Sequence, residues 1–183
     1  MSASKFFKEG DLEQAIQACI EDVKEDPANA NQRVFFAELL CFSGDYDRAD
    51  RQLNTLLTLD PKTMLTVSVW RQLLRAAQIR QDVYECKQVP ELMDAATPRI
   101  ENALRALTIA NKDNVLPESV AEQEGASEPV VVNGISSSHF RDLDDINANI
   151  LEVMASNGRY FWIDFDQIDS LEFYAPERPL DLL

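Results

Sequence analysis

The sequence is short of the residues that do most chemistry. It has one histidine, His139, and three widely spaced cysteines, Cys19, Cys41 and Cys86. No Cys-x-x-Cys pair occurs, which excludes a zinc ribbon and a thioredoxin-like motif. One His with three scattered Cys is poor material for a zinc site. The odd cysteine count reads as reduced thiols of a cytosolic protein. Five glycines in 183 residues leave little from which to build a phosphate-cradling loop, and neither the Walker nor the dinucleotide pattern is present. His139 follows Ser136-Ser137-Ser138 with no Gly-x-Ser-x-Gly context, so it reads as a loop or cap residue rather than a triad member.

Cations are scarce as well. Lys and Arg number 17 against 32 Asp and Glu, for a formal net charge of −15. Phosphate-backbone binding rests on Lys and Arg, so nucleic acid is excluded as a partner. An anionic membrane surface is excluded for the same reason. A basic or apolar protein partner stays compatible. No stretch approaches the ~18 apolar residues of a membrane span, and the first nine residues show no apolar signal segment. The reading is a soluble, cytoplasmic chain. Its 45% hydrophobic content supplies a core for one domain or two small ones.

What the chain does have is a repeat. Gly10-Asp11-Leu12-Glu13-Gln14-Ala15 returns as Gly44-Asp45-Tyr46-Asp47-Arg48-Ala49, and Asp26-Pro27 returns as Asp60-Pro61. All three landmarks keep a spacing of about 34 residues, the tetratricopeptide period of a helix–turn–helix unit that stacks on its neighbours. Each Gly supplies the positive φ that ends one helix, and each Asp caps the next. Leu12, Ile16, Cys19, Ile20 and Val23 form one amphipathic stripe, and Tyr46, Ala49, Leu53, Leu56 and Leu57 a second. The first unit lacks most of its leading helix. A third begins at Met64 with Val67, Trp70, Leu73, Leu74 and Ala77 on one face, then departs, with Gln78 and Val83 where Gly and Ala belong.

Beyond Val89-Pro90, Thr97-Pro98 reads as an N-cap and first helical residue, opening a helix to about Asn111 that closes the stack. Residues 112–137 read as an acidic linker or loop. A helix is expected from Phe140 to Ser156, on Phe140, Leu143, Ile146, Ile150, Val153 and Met154. Strands are expected over Arg159–Phe165 and Ser170–Tyr174. The expected fold is therefore mainly α. A tetratricopeptide-like antiparallel stack (1–111) precedes the linker and a small α+β segment (138–183) of one helix and two strands. Two strands alone are rarely stable, so their sheet partners lie in a further segment, or the strands pack on the helices.

Several strings resemble the ImpE/SciE (TagJ) family of bacterial type VI secretion accessory proteins. They are Arg-Gln-Asp-Val-Tyr-Glu at 80–85, Phe140-Arg141-Asp142-Leu143-Asp144-Asp145, and Gly158-Arg159-Tyr160-Phe161-Trp162-Ile163. Two more follow, Ile168-Asp169-Ser170-Leu171-Glu172-Phe173 and Pro176-Glu177-Arg178-Pro179-Leu180-Asp181-Leu182-Leu183. The resemblance implies a non-enzymatic role at the contractile sheath, binding the N-terminal helix of the small sheath subunit near the ATPase that disassembles the sheath. It implies no cofactor. Family members continue past the final Asp-Leu-Leu into a β-rich region.

If the repeat register holds, the concave surface carries Asn31, Val34, Glu38, Cys41 and Phe42 from the second unit, and Leu65, Ser68, Gln72 and Arg75 from the third. Arg71 flanks it as the i,i+4 neighbour of Arg75. An apolar centre with polar edges suits a helix laid in a groove. Phe42 and Arg75 are the strongest candidates, since aromatics and Arg dominate binding hot spots. Two other readings stand beside the adaptor. One is a structural oligomer subunit. The other is a metal-assisted enzyme using Asp142, Asp144 and Asp145, or Asp164, Asp166 and Asp169. Neither Asp group has the calcium-loop frame with its turn Gly, and caps and turns explain them.

Overall fold

The computed structural model describes residues 2–113, 129–132, 134–137, 140–172 and 174–175. Helices α1 (Ala3–Lys8), α2 (Leu12–Glu25), α3 (Ala30–Phe42) and α4 (Tyr46–Leu59) follow in order, then a 3-10 turn, Pro61–Thr63, and α5 (Met64–Tyr84). The expected period is built into the helix ends: α2 and α4 start 34 residues apart, and so do α3 and α5. Gly10 (φ +81) and Gly44 (φ +73) make the two turns. Asp11 Oδ1 accepts from Gln14 N at 3.0 Å, and Asp45 Oδ1 accepts from Arg48 N at 3.2 Å. Asn29 caps α3 in the same way through Gln32 N. At position 78, where Gln replaces Gly, the chain does not turn, and α5 runs on to Tyr84.

Packing divides the chain into two compact units, with the division inside α5 after Arg75. The partition at residue 111 read from the sequence follows helical content instead.

The first unit holds residues 2–75 with Ser156–Gly158, Tyr174 and Ala175. Its core joins Ala15 and Cys19 of α2, Phe36, Leu39 and Leu40 of α3, Ala49, Leu53 and Leu56 of α4, and Val67, Trp70 and Leu74 of α5. Ala15 and Ala49 are fully buried; a larger side chain there would push adjacent helices apart. Each fully buried Leu contributes about 1.5–3 kcal/mol, against about 1 kcal/mol for a cap, so the stripes hold the stack and the caps set its register.

The second unit centres on α6 (Pro98–Asp113) and a hairpin of β3 (Ile150–Met154) and β4 (Tyr160–Asp164). α6 opens as expected: Thr97 Oγ1 accepts from Ile100 N, with Pro98 first in the helix. β3 and β4 are antiparallel, Ile150 opposite Asp164 and Met154 opposite Tyr160. Glu91 bridges the other side of β4, donating its N–H to Tyr160 O and accepting from Trp162 N, both at 3.0 Å. Tyr160, Trp162 and Ile150 share a core with Ile100, Ala103 and Leu107 of α6 and with Ala76 and Val83 of α5. The strands thus find partners within the described chain.

Three expectations are corrected. The helix over Phe140–Ser156 does not form. Asp142 and Asp144 accept, at 2.8 Å each, from the N–H groups of Asp144 and Ile146, and these local bonds hold a turn where a helix would need its own ladder. Leu143, assigned to the apolar face, is 99% exposed. The β-branched and apolar run that follows becomes β3, and Asn157-Gly158 is a hairpin turn rather than a helix stop, with Gly158 at φ +86. The strand at Ser170–Tyr174 is absent among the described residues, which exclude Phe173. The loop at 112–137 contains a second hairpin, β1 (Val130–Val132) with β2 (Ile135–Ser137), Val130 opposite Ser137.

Candidate functional site

Of the ten residues expected on the concave surface, the structure leaves four exposed and four half-buried and turns two away. On α3, Asn31 is exposed, and Val34, Glu38 and Phe42 are half-buried. Phe42 leans on Phe7 of α1 with ring centroids 5.4 Å apart. On α5, Leu65 is 79% exposed, Ser68 is exposed and Gln72 is half-buried. Arg75 is exposed and donates to Gln72 Oε1 at 3.2 Å. Val34 also packs against the core of the unit, so Leu65 is the one fully exposed apolar residue of the set.

Cys41 faces the core instead. It is 2% exposed, and burial pushes its thiol up to about 11, opposed by the Trp70 side chain and reinforced by Glu38. Arg71 reaches back to α4. Its Nε and Nη2 grip Asp50 at 2.6 and 2.9 Å, and Nη1 meets Asn54 at 3.2 Å. The hydrogen bond with Asp50 holds the guanidinium charged. Arg71 therefore fastens α5 to α4, and the expected pairing of Arg71 with Arg75 does not occur.

Sequence reasoning missed Met64 and Val69, which are 62% and 47% exposed. It also assigned Leu73 to the core face, whereas Leu73 is half-buried and stands outside the cluster of Val67, Trp70 and Leu74. The spacing of Leu65, Val69 and Leu73 at i, i+4 and i+8 was the available signal.

Five of the six carboxylates considered for metal chemistry, all but Asp169, are otherwise engaged. Asp164, 2% exposed, accepts from Thr97 Oγ1 at 2.6 Å and from Arg99 Nη1 at 3.2 Å. Arg99 also pairs with Asp166 at 2.8 Å. Asp145 pairs with Arg141 at 2.5 Å, while Asp142 and Asp144 cap the turn. Among the described residues, no group of three or more His, Cys, Asp or Glu is placed to hold a metal ion. His139 lies outside the described residues. A polar cluster of the second unit is also closed on itself. Arg80 grips Glu152 at 2.9 and 3.0 Å and stacks 4.5 Å over Tyr84. Tyr160 donates to the same carboxylate, and Trp162 Nε1 donates to the Tyr160 hydroxyl at 2.7 Å. Burial pushes both tyrosines upward.

Comparison with known proteins follows the two parts. Residues 6–76 match a tetratricopeptide repeat family, and residues 134–183 match the ImpE protein family. The whole chain is 28% identical to the type VI secretion system accessory component TagJ of Pseudomonas aeruginosa, and spans 66% of that relative's length. A crystal structure of a Vibrio parahaemolyticus protein superposes with a TM-score of 0.84 at 29% identity, covering 98% of this chain and 69% of that one. No described helix is long and apolar enough to cross a membrane. The chain thus joins tetratricopeptide-like repeats to an ImpE-family segment, as the resemblance in its sequence implied.

Proposed function

We propose that this chain is a non-enzymatic, cytoplasmic adaptor of a type VI secretion system, which holds a helix of a partner protein against its repeat stack. The partner proposed is the small contractile-sheath subunit, through its N-terminal helix. One observation carries the reading. The helices α2 to α5 keep one 34-residue register, and the leading helices α3 and α5 leave Asn31, Leu65, Ser68 and Arg75 exposed and Phe42 half-buried. Apolar and polar side chains left accessible on such helices suit recognition of a partner helix. The relationship to TagJ supplies the biological setting. Cys41 and Arg71 drop out of the proposed contact set, because one is in the core and the other is fastened to Asp50.

The test is titration of the purified chain with a labelled peptide of the sheath subunit's N-terminal helix. Saturable binding is expected, weakened about tenfold or more by the double substitution Phe42→Ala and Arg75→Ala. Unchanged affinity would remove this face from the account. A solution mass above that of the monomer, with no peptide binding, would favour a structural oligomer instead.

A further inference from the structure

The stripe Leu65, Val69 and Leu73 has counterparts one repeat earlier, exposed at Asn31 and covered at the next two positions. Counting back by the repeat, Val69 corresponds to Phe35 and Leu73 to Leu39. Phe35 meets Phe7 of α1 edge-on at 6.0 Å, and Leu39 is fully buried. In the second repeat, then, the chain itself covers these two positions. In the third, Leu65 and Val69 are 79% and 47% exposed, and Met64 beside them 62%. These form one contiguous apolar strip along the first half of α5.

Charge narrows what fits there. The chain has nearly twice as many acidic as basic residues, yet from Pro61 to Gln81 it holds four Lys or Arg and no Asp or Glu. Arg71 is neutralised by Asp50. Lys62 and Arg75 are exposed, and among the described residues no carboxylate pairs with either. An apolar strip with cations near both ends complements an apolar stripe flanked by carboxylates. The net charge of the chain would select the opposite, a basic partner, so this helix is a local reversal.

We propose that the exposed face of α5, with Leu65 and Val69 as anchors and Lys62 and Arg75 at its ends, seats an acidic amphipathic helix of a partner protein. This rests on the adaptor reading above and specifies the chemistry of the partner segment.

The test uses the full chain and three synthetic amphipathic helical peptides. They share one apolar stripe and differ only in carrying Glu, Gln or Lys at the flanking positions. Fluorescence anisotropy at low salt is expected to rank Glu over Gln over Lys, with about tenfold between the extremes. The preference should shrink as salt is added. Leu65→Ser with Val69→Ser, both at exposed positions, should weaken the Glu peptide about tenfold or more. Arg75→Glu should remove or reverse the charge preference without unfolding the chain, as checked by circular dichroism. Equal binding of the three peptides, or tighter binding of the Lys peptide, would overturn the charge assignment and leave the adaptor reading standing. Binding lost in Phe42→Ala but indifferent to Leu65 and Val69 would place the seat on α3 and overturn this proposal alone. No binding by any peptide would overturn both. Self-association that disappears in the Leu65/Val69 variant would make the occupant a second copy of the chain and overturn the partner assignment.

Discussion

Two glycines show how a single side chain's cost depends on what surrounds it. Gly10 and Gly158 both have φ above +80°, a region that costs an L-residue about 1–2 kcal/mol. Around Gly10 a Cβ would meet nothing within 4 Å. At Gly158 it would lie 2.5 Å from Gln72 Oε1 and 3.4 Å from the Gln72 carbonyl. The Gln72 tip must swing aside, at the loss of its bond to Arg75, while its carbonyl stays at van der Waals distance. Gly10→Ala is expected to cost about 1 kcal/mol, from the backbone alone. Gly158→Ala should cost more, about 1.5–2 kcal/mol, since displacing the Gln72 tip from Arg75 adds to the backbone penalty. Urea denaturation of the two variants side by side measures the difference; equal costs would show that Gln72 accommodates the methyl freely.

At the scale of elements, α6 depends on a cap that does two jobs. The Thr97 hydroxyl accepts from Ile100 N and donates to Asp164, a buried carboxylate that also accepts from Arg99 and from Asp166 N. Thr97→Ala removes a cap and one of Asp164's partners together. The expected loss is about 1.5–3 kcal/mol, above the cost of a cap alone. Thr97→Ser, which keeps the hydroxyl, should recover most of it, and thermal melts of the two variants give the comparison. This cap was legible in the sequence because Thr-Pro before an apolar run has few other meanings. The repeat turns were legible for the same reason: Gly10-Asp11 and Gly44-Asp45 state a positive φ and a cap in adjacent residues. The segment from Phe140 to Ser156 was not. Its apolar residues satisfy helical spacing, but Asp142 and Asp144 spend their side chains on nearby backbone, and the pairing that makes β3 a strand comes from Tyr160–Asp164. The candidate surface was legible to the same degree. Leu65, Ser68 and Arg75 follow from the period, whereas the turning of Arg71 to Asp50 depends on a neighbouring helix that spacing does not place.

The whole molecule carries an alkaline liability. Burial raises the thiols of Cys19 and Cys41 from 9.0 to about 11, and raises the hydroxyls of Tyr84 and Tyr160 above 10.0. In the folded chain these groups keep their protons where the unfolded chain has begun to lose them. The folded state then binds more protons, so stability falls as pH rises. Below about pH 9 the four groups contribute no pH dependence. From about 9 to 11 the urea midpoint should fall steadily, and the double variant Cys19→Ala, Cys41→Ala should fall less steeply over the same range. A midpoint that stays level to pH 11 would mean that the thiols ionise in place.

The 34-residue spacing also makes the stack divisible. α2 ends at Glu25 before Asp26, and α4 ends at Leu59 before Asp60, so the chain leaves both helices through the same chemistry. A copy of residues 27–60 spliced in after Asp60 would meet a matching seam at each end, with its own glycine turn and aspartate cap inside it. Copy number is therefore the simplest route by which this architecture could lengthen, adding one more Asn31, Val34, Glu38 and Phe42 to the row with each insertion and leaving every junction as it was.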